Sequence, residues 1–197
     1  MKQGLIYHNL IFYRTIMQLL YWGKYKSRFY EITTFIDSSN VVELCFGDIV
    51  IADFCTKNHI SWIGYDINVN FVGNAIDKGY KAELIDLNLL TELPKTDLII
   101  MSGSLYHFQE NLENLFSIML KSTNKIIISE PIKNLASQNN FLGRIASKMT
   151  TVNQKNISFR FNKESLLDAL NSISSKLNFR FKIVKELKKD LIIIIEK

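Results

Sequence analysis

The sequence has few of the residues that break a chain into flexible or cross-linked parts. Its 197 residues include only 2 prolines and 8 glycines, which leaves no Gly/Pro-rich linker between two domains. The 2 cysteines, Cys45 and Cys55, have no second pair or histidine cluster beside them, so neither a disulfide framework nor a metal site is predicted. With 47% hydrophobic residues, the composition indicates one globular domain, by default in a reducing cytoplasm.

No apolar run is long enough to predict a membrane span. The apolar stretch of residues 5–22 is interrupted by polar residues such as Arg14 and Gln18, whereas a spanning helix needs about 20 largely apolar residues. No signal-peptide cleavage pattern follows it. We expect this stretch to form a helix that covers the core, and a helix lying on a membrane surface is the alternative.

Charge is distributed unevenly along the chain, whose net charge is +5. Acidic residues outnumber basic ones by 12 to 7 in residues 41–136, whereas basic residues outnumber acidic ones by 12 to 5 in residues 137–197. No basic run alternates with stacking aromatic residues, so nucleic acid is not the expected partner. The acidic middle favours a cationic ligand, and the basic end favours an anionic one.

The hydrophobic periodicity predicts an α/β sheet. Residues 5–36 have helical spacing and predict one or two helices. Five short apolar strands then alternate with helices, which favours a parallel sheet covered on both faces. The predicted strands are residues 41–45, 60–65, 81–85, 97–101 and 125–129, and Glu130 and Pro131 are expected to end the fifth. The predicted helices between them are residues 49–58, 68–79 and 112–120.

The last third predicts a different ending. Residues 132–160 are polar and irregular, with a short helix near residues 142–149. Asn162 is expected to cap a helix over residues 163–176, and strands are predicted at residues 179–185 and 191–195. About five residues separate those two strands, which is enough for a hairpin and too short for a crossover. The sheet should therefore end in an antiparallel pair.

Carboxylates follow three consecutive predicted strands. Asp48, Asp66 and Asp86 come after the first, second and third strand. Ligands of open α/β sheets bind at the carboxyl ends of the strands, where Asp66 is placed to accept both hydroxyls of a ribose. Singly, such carboxylates also cap the helix that follows. Together they favour a nucleoside site.

The loop after the first strand has a single glycine, Gly47. The segment Glu43-Leu44-Cys45-Phe46-Gly47-Asp48 has neither the G-x-G-x-x-G pattern that holds a pyrophosphate nor the G-x-x-x-x-G-K-[ST] cradle. A dinucleotide or a nucleoside triphosphate is therefore disfavoured, and an adenosine ligand without phosphates fits better.

The order and spacing of these motifs resemble those of the class I S-adenosylmethionine-dependent methyltransferases. Residues 43–48 look like the family's glycine loop without its first glycine, residues 63–67 (IGYDI) like its ribose-binding strand, residues 84–87 (LIDL) like its adenine segment, and residues 97–107 like its fourth-strand motif. The resemblance implies a Rossmann-like, doubly wound, seven-stranded sheet of order 3-2-1-4-5-7-6, with its last strand antiparallel and helices on both faces. It also implies one domain, residues 1–197, with a helical cap (1–36), a cofactor-binding core (41–131), an acceptor-site insertion (132–160), and a closing helix and hairpin (161–197).

The resemblance further implies S-adenosylmethionine as the cofactor and assigns residues to its site. Asp66 would bind the ribose hydroxyls and Asp86 the adenine amino group. The implied cofactor-binding residues are Glu43, Cys45, Gly47, Asp48, Asp66, Ile67, Asp86, Leu87, Ser102 and Gly103. The implied catalytic residues are His107, as a base, and Tyr106. Tyr7 and Tyr25 are further acceptor-site candidates, and Tyr25, Arg28 and Tyr30 are candidates for closing over the donor's carboxylate.

The expected function is methyl transfer to an oxygen or nitrogen atom of a small molecule, with an anionic acceptor favoured by the basic last third. A non-catalytic relative of this fold is one alternative, because the first glycine of the loop is missing. A nucleic-acid methyltransferase is another. An NAD-dependent oxidoreductase is disfavoured by the one-glycine loop and the terminal hairpin. The sequence predicts neither the oligomeric state nor the identity of the acceptor.

Overall fold

A computed structural model describes residues 10–132 and 159–197, and both segments contribute to one seven-stranded sheet. The strands are β1 (Asn40–Leu44), β2 (Ser61–Asp66), β3 (Lys81–Leu84), β4 (Leu98–Ser102), β5 (Lys125–Pro131), β6 (Arg180–Glu186) and β7 (Asp190–Glu196). Their order is β3-β2-β1-β4-β5-β7-β6, in which β1 to β5 pair in parallel and β7 is antiparallel to both β5 and β6. The predicted topology is confirmed.

Helices cover both faces of this sheet. They are α1 (Leu10–Leu20), α2 (Ser27–Thr33), α3 (Val50–Lys57), α4 (Val69–Asp77), α5 (Leu112–Ser122) and α6 (Lys163–Leu177), with a 3₁₀ helix at Leu105–Asn111. The predicted cap at Asn162 is confirmed, because its side chain accepts from the backbone N–H of Ser165 at 2.8 Å and the Ser165 hydroxyl accepts from Asn162. The single long N-terminal stretch divides into α1 and α2, within the one or two helices predicted.

The core has two layers because successive strand residues point to opposite faces. In β4, Ile99 and Met101 pack with α5 and α6, whereas Leu98 and Ile100 pack with α1 to α4. Because β1, β2, β4 and β5 run parallel, their carboxyl ends meet at one edge of the sheet, between the two layers. We call this edge the carboxyl edge.

One detail of the sequence prediction is wrong. β5 does not end before Glu130, because its antiparallel neighbour β7 continues the pairing, Glu130 with Leu191 and Pro131 with Asp190. The helix predicted at residues 112–120 is confirmed as α5, and the 3₁₀ helix at Leu105–Asn111 before it was not predicted. Tyr7, the short helix predicted near residues 142–149 and most of the predicted insertion 132–160 lie outside the described residues. Within residues 10–132 and 159–197, no helix is long and apolar enough to cross a membrane.

Candidate functional site

The loop after β1 makes a tight turn through two residues in the left-handed conformation. Gly47 has a φ of +59°, and Cys45, at the position of the missing glycine, has a φ of +53°. A left-handed conformation costs a non-glycine residue roughly 1–2 kcal/mol, so Cys45 holds a strained turn that glycine would hold freely. A Cβ on Gly47 would lie 3.4 Å from the Tyr13 hydroxyl oxygen, so α1 packs directly on this loop.

Asp66 connects this loop to the end of β2. Its carboxylate accepts hydrogen bonds from the backbone N–H groups of Gly47 at 3.1 Å and Asn68 at 2.8 Å. Burial raises the pKa of Asp66 to about 6, and the backbone donors oppose that shift. Two carboxylate oxygens offer about four acceptor positions, so the buried group can still accept ligand hydroxyls. Asp66 is thus a buried acceptor at the end of β2, and its contact with a ribose stays a prediction.

The other predicted carboxylates have protein partners of their own. Glu43 is fully buried and accepts a hydrogen bond from Trp62 Nε1 at 2.9 Å, and burial raises its pKa well above the usual range. Asp48 forms an ion pair with Arg14 at 2.7 Å, which ties α1 to the loop. Asp86 accepts from the backbone and side chain of Asn88, both at 3.0 Å, as a turn cap does. These contacts give the three residues structural roles, and their contact with a cofactor stays a prediction.

The remaining predicted cofactor residues lie around the same edge. Ile67 follows Asp66 and is half-buried, and Leu87 is buried in the core. Burial raises the pKa of the Cys45 thiol well above its usual range, so this cysteine is protonated and suited to packing rather than to nucleophilic attack. Among residues 10–132 and 159–197, no group of three or more His, Cys, Asp and Glu side chains is arranged to hold a metal ion.

Arg28 is a buried cation at the carboxyl edge. Its guanidinium group lies 4.7–5.3 Å from the ring centroids of Phe29, Tyr25 and Tyr21 and donates a hydrogen bond to the Tyr21 hydroxyl at 3.0 Å. It also lies 3.7 Å from Asp190 of β7, which accepts from Tyr21 at 3.2 Å. The aromatic rings and one carboxylate together compensate the buried charge. The sequence analysis did not identify Tyr21 or Asp190.

The guanidinium group of Arg28 reaches the end of β4. Gly103 has a φ of +66°, and a Cβ there would lie 2.8 Å from Arg28 Nη1. Ser102 and Ser129, which are paired in register on β4 and β5, are buried beside it. Within the described parts of the chain, Arg28 Nε and both serine hydroxyls have no hydrogen-bond partner. Buried polar groups without partners indicate a place where a polar ligand binds.

The N-terminal residues predicted to contact a ligand lie in two different environments. Tyr25 is buried, and its hydroxyl lies 3.1 Å from that of Tyr13. Tyr30 is 58% exposed to solvent on the outer side of α2, so it does not belong to the group around Arg28. Tyr25 and Arg28 thus remain candidates for contact with a ligand at the carboxyl edge, and Tyr30 does not.

Glu130 is a site residue that the sequence analysis treated only as a strand end. It is fully buried, and its carboxyl oxygens accept from the backbone N–H groups of Leu105 at 3.1 Å and Tyr106 at 3.4 Å. Burial raises its pKa to about 8, so the group is mainly protonated at neutral pH. The sequence does contain an indication of this position, because Glu130 follows a run of apolar residues, as Asp66 does. Glu130 holds the start of the 3₁₀ helix that carries Tyr106 and His107.

The predicted catalytic residues lie on this 3₁₀ helix. The rings of Tyr106 and His107 are in contact, with centroids 3.9 Å apart, and the Arg160 guanidinium carbon lies 3.6 Å from the Tyr106 centroid. Part of His107 is exposed to solvent. Desolvation by its neighbours and the positive charge of Arg160 both disfavour the protonated imidazole and lower its pKa to about 4. His107 is therefore neutral near pH 7, the form that can accept a proton.

The pKa of Glu130 predicts a pH dependence of stability. The folded protein holds a proton on Glu130 up to about pH 8, whereas the unfolded chain releases it near the ordinary pKa of about 4.3. Between these values the folded state binds more protons, so the free energy of unfolding should fall as the pH rises. Glu130→Gln should flatten this fall by at most about 1.4 kcal/mol per pH unit in urea titrations. An unchanged slope in Glu130→Gln would show that the carboxyl is ionised in the folded state.

Comparison with known proteins supports the fold and nothing finer. No protein-family model and no curated protein matches the sequence. Solved structures do match. A methyltransferase of Archaeoglobus fulgidus, described as S-adenosylmethionine-dependent, is 18% identical with a TM-score of 0.63, over 87% of this chain and 92% of the other. The fold is that of the class I methyltransferases.

Two further neighbours with this fold act on different acceptors. A magnesium protoporphyrin IX methyltransferase from Synechocystis, with bound S-adenosylhomocysteine, is 16% identical with a TM-score of 0.59, over 93% of this chain and 82% of the other. An rRNA methylase from Escherichia coli is 14% identical with a TM-score of 0.59, over 98% and 70%. The methyltransferase fold therefore does not decide between a small molecule and RNA.

Proposed function

We propose that the protein is an S-adenosylmethionine-dependent methyltransferase. The observation that carries the proposal is the presence of two buried charged groups at the carboxyl edge. They are the Asp66 carboxylate, which accepts from the Gly47 N–H, and the Arg28 guanidinium group beside Gly103. The proposal treats residues 1–197 as one catalytic domain, in which residues 1–36 and 132–160 enclose the acceptor.

The residues at this edge fit the chemical groups of the cofactor. Asp66 is an acceptor for ribose hydroxyls, and Gly103 leaves room for the Arg28 guanidinium group, which a Cβ there would approach to 2.8 Å. Arg28, whose Nε lacks a partner in the described segments, suits the carboxylate of the amino-acid part. S-adenosylmethionine supplies a sulfonium methyl group that is already activated for transfer. The chain's own residues then need only to orient the acceptor and exclude water, and a base is optional.

The acceptor that we propose is a small anionic molecule. Arg160 lies against Tyr106, so a cation borders the proposed catalytic residues. The surplus of basic residues between positions 137 and 197 has the same sign. An RNA acceptor is the alternative, and it predicts an affinity for RNA or DNA duplexes that falls steeply with salt, without any response to small acceptors.

Calorimetry tests the proposed cofactor. Titration with S-adenosylmethionine and S-adenosylhomocysteine should give micromolar binding, and titration with NAD should give none, because the loop at Gly47 has no pyrophosphate cradle. Binding of NAD would select an oxidoreductase. Failure of all three ligands to bind would select a non-catalytic protein with this fold.

Replacing His107 tests its role as a base. We expect His107→Ala to lower turnover by about 10²- to 10⁴-fold while leaving cofactor affinity unchanged, if the acceptor atom is oxygen or nitrogen. The unperturbed pKa of histidine would place the acid limb of the rate profile near pH 6 to 7. Because the pKa of His107 is lowered to about 4, we expect this limb at correspondingly lower pH. A variant with full turnover and the wild-type pH profile would show that His107 is not the base and is an ordinary surface residue.

A further inference from the structure

The outer face of α1 carries large exposed apolar residues. Ile11 is 75% exposed, Leu19 is 67% exposed, and Trp22, just beyond the helix, is 77% exposed. Helical spacing places Ile11, Leu19 and the 41% exposed Phe12 on one side of α1, together with Thr15, whose hydroxyl donates to the carbonyl of Ile11. We call Ile11, Phe12, Leu19 and Trp22 the α1 stripe. The opposite side of α1 is also apolar and packs on the core through Tyr13.

A helix with large apolar residues on both its inner and its outer side is usually buried, so the α1 stripe requires an explanation. Single exposed apolar residues are common on protein surfaces, but three large ones on one helix with a tryptophan just beyond it indicate an interaction surface.

Basic residues border this stripe. Lys24 and Lys26 are exposed and follow Trp22 directly. Lys189, in the turn between β6 and β7, donates a hydrogen bond to the carbonyl of Leu20 and lies 5.1 Å from the ring centroid of Tyr21. The exposed Lys188 lies beside it in the same turn. We call Lys24, Lys26, Lys188 and Lys189 the basic rim.

Acidic residues are missing from the same segment of sequence. Residues 1–30 contain no Asp or Glu, and the only charge within α1, Arg14, is paired with Asp48. The residues of the α1 stripe and of the basic rim therefore include no carboxylate.

We propose that the α1 stripe and the basic rim bind an anionic lipid surface, with α1 lying in the plane of the interface. The apolar side chains would enter the boundary between headgroups and acyl chains, Trp22 would sit at headgroup level, and the lysines would attract anionic lipids. This surface is the outer side of α1, opposite the side that packs on the core through Tyr13, and its binding to lipid can be tested without a cofactor or an acceptor.

The charge pattern favours a lipid surface over a second copy of the chain. A second copy of the chain would bring a surface of the same composition, so it would offer the basic rim no opposite charge from that patch. An anionic membrane supplies that opposite charge.

Tryptophan fluorescence and sedimentation test the proposal on the full chain. The chain has 2 tryptophans, and Trp62 is only 6% exposed, so a change of emission on adding vesicles reports on Trp22. Vesicles of equal parts phosphatidylcholine and phosphatidylglycerol should sediment the protein and shift its emission to shorter wavelength. Phosphatidylcholine vesicles should do neither, and salt should weaken the effect.

Variants identify the surface. Leu19→Gln and the double variant Lys24→Gln/Lys26→Gln should each weaken vesicle binding about tenfold or more, which corresponds to about 1.4 kcal/mol. Leu89→Gln is the matched control, since Leu89 is 81% exposed after β3, and its binding should be unchanged. Trp22→Phe should still sediment but show no emission shift.

Three results would overturn the proposal. The first is no sedimentation with the anionic vesicles, and the second is equal losses in Leu19→Gln and Leu89→Gln. The third is an emission shift that rises with protein concentration without vesicles, which would indicate a second copy on the α1 stripe.

Discussion

Asp66→Ala is expected to weaken binding of S-adenosylhomocysteine by about 10- to 100-fold. The variant removes a buried carboxylate whose proposed charge-assisted hydrogen bonding to ribose hydroxyls would be worth roughly 1.5–3 kcal/mol. It also removes the acceptor for the Gly47 backbone N–H, which ties the loop after β1 to the end of β2. Calorimetry on the folded variant measures the loss directly.

Asp97→Ala is a matched control for this experiment. Asp97 accepts three hydrogen bonds from the backbone of Ser39 and Asn40 and from the Asn40 side chain, but it precedes β4 and lies at the opposite edge of the sheet. We expect it to lower stability without changing cofactor affinity. Equal affinities in Asp66→Ala, Asp97→Ala and the wild type would exclude Asp66 from the cofactor site.

The second large effect is expected on stability. Arg28→Met should lower the free energy of unfolding by about 3–5 kcal/mol, because Asp190 would remain buried without its cation. That is a large part of the roughly 5–15 kcal/mol that stabilises an ordinary domain. Urea denaturation measures it.

The double variant Arg28→Met/Asp190→Asn separates the ion pair from simple packing. Removing both charges leaves no buried ion, so we expect it to recover most of the stability lost in Arg28→Met. If the double variant is less stable than the single one, the loss arises from the packing of Arg28 against its aromatic neighbours and not from the unpaired Asp190.

The features that sequence reasoning predicted correctly are local ones. Apart from β3, each strand of the parallel part contains a short apolar run, and the separation of β6 from β7 allows a hairpin only. The position of Asp66 at the carboxyl edge was also predicted from local sequence, since Asp66 directly follows the apolar residues of a parallel strand. The order of the strands came from the family resemblance, because hydrophobic spacing does not say which strands are neighbours.

The features that were missed depend on residues far apart in the chain. Nothing near Arg28 predicts that Asp190, in the last strand, would be its carboxylate. Glu130 was interpreted as a strand end because proline follows it, yet pairing with β7 extends the strand past both residues. The pKa of His107 depends on Arg160, which follows the predicted insertion and whose position near Tyr106 no local pattern indicates.

The position of β7 between β5 and β6 has a consequence for how the protein is made. β6 precedes β7 in the sequence, but within residues 10–132 and 159–197 it pairs in the sheet with β7 alone, so β6 cannot join the sheet before β7. The four consecutive isoleucines of β7 (192–195) must be synthesised before β6 can pair and before Asp190 can meet Arg28. Contacts across such long sequence separations form slowly. Until then the nascent chain carries an open edge at β5 and a guanidinium group that the carboxylate of Asp190 has not yet reached.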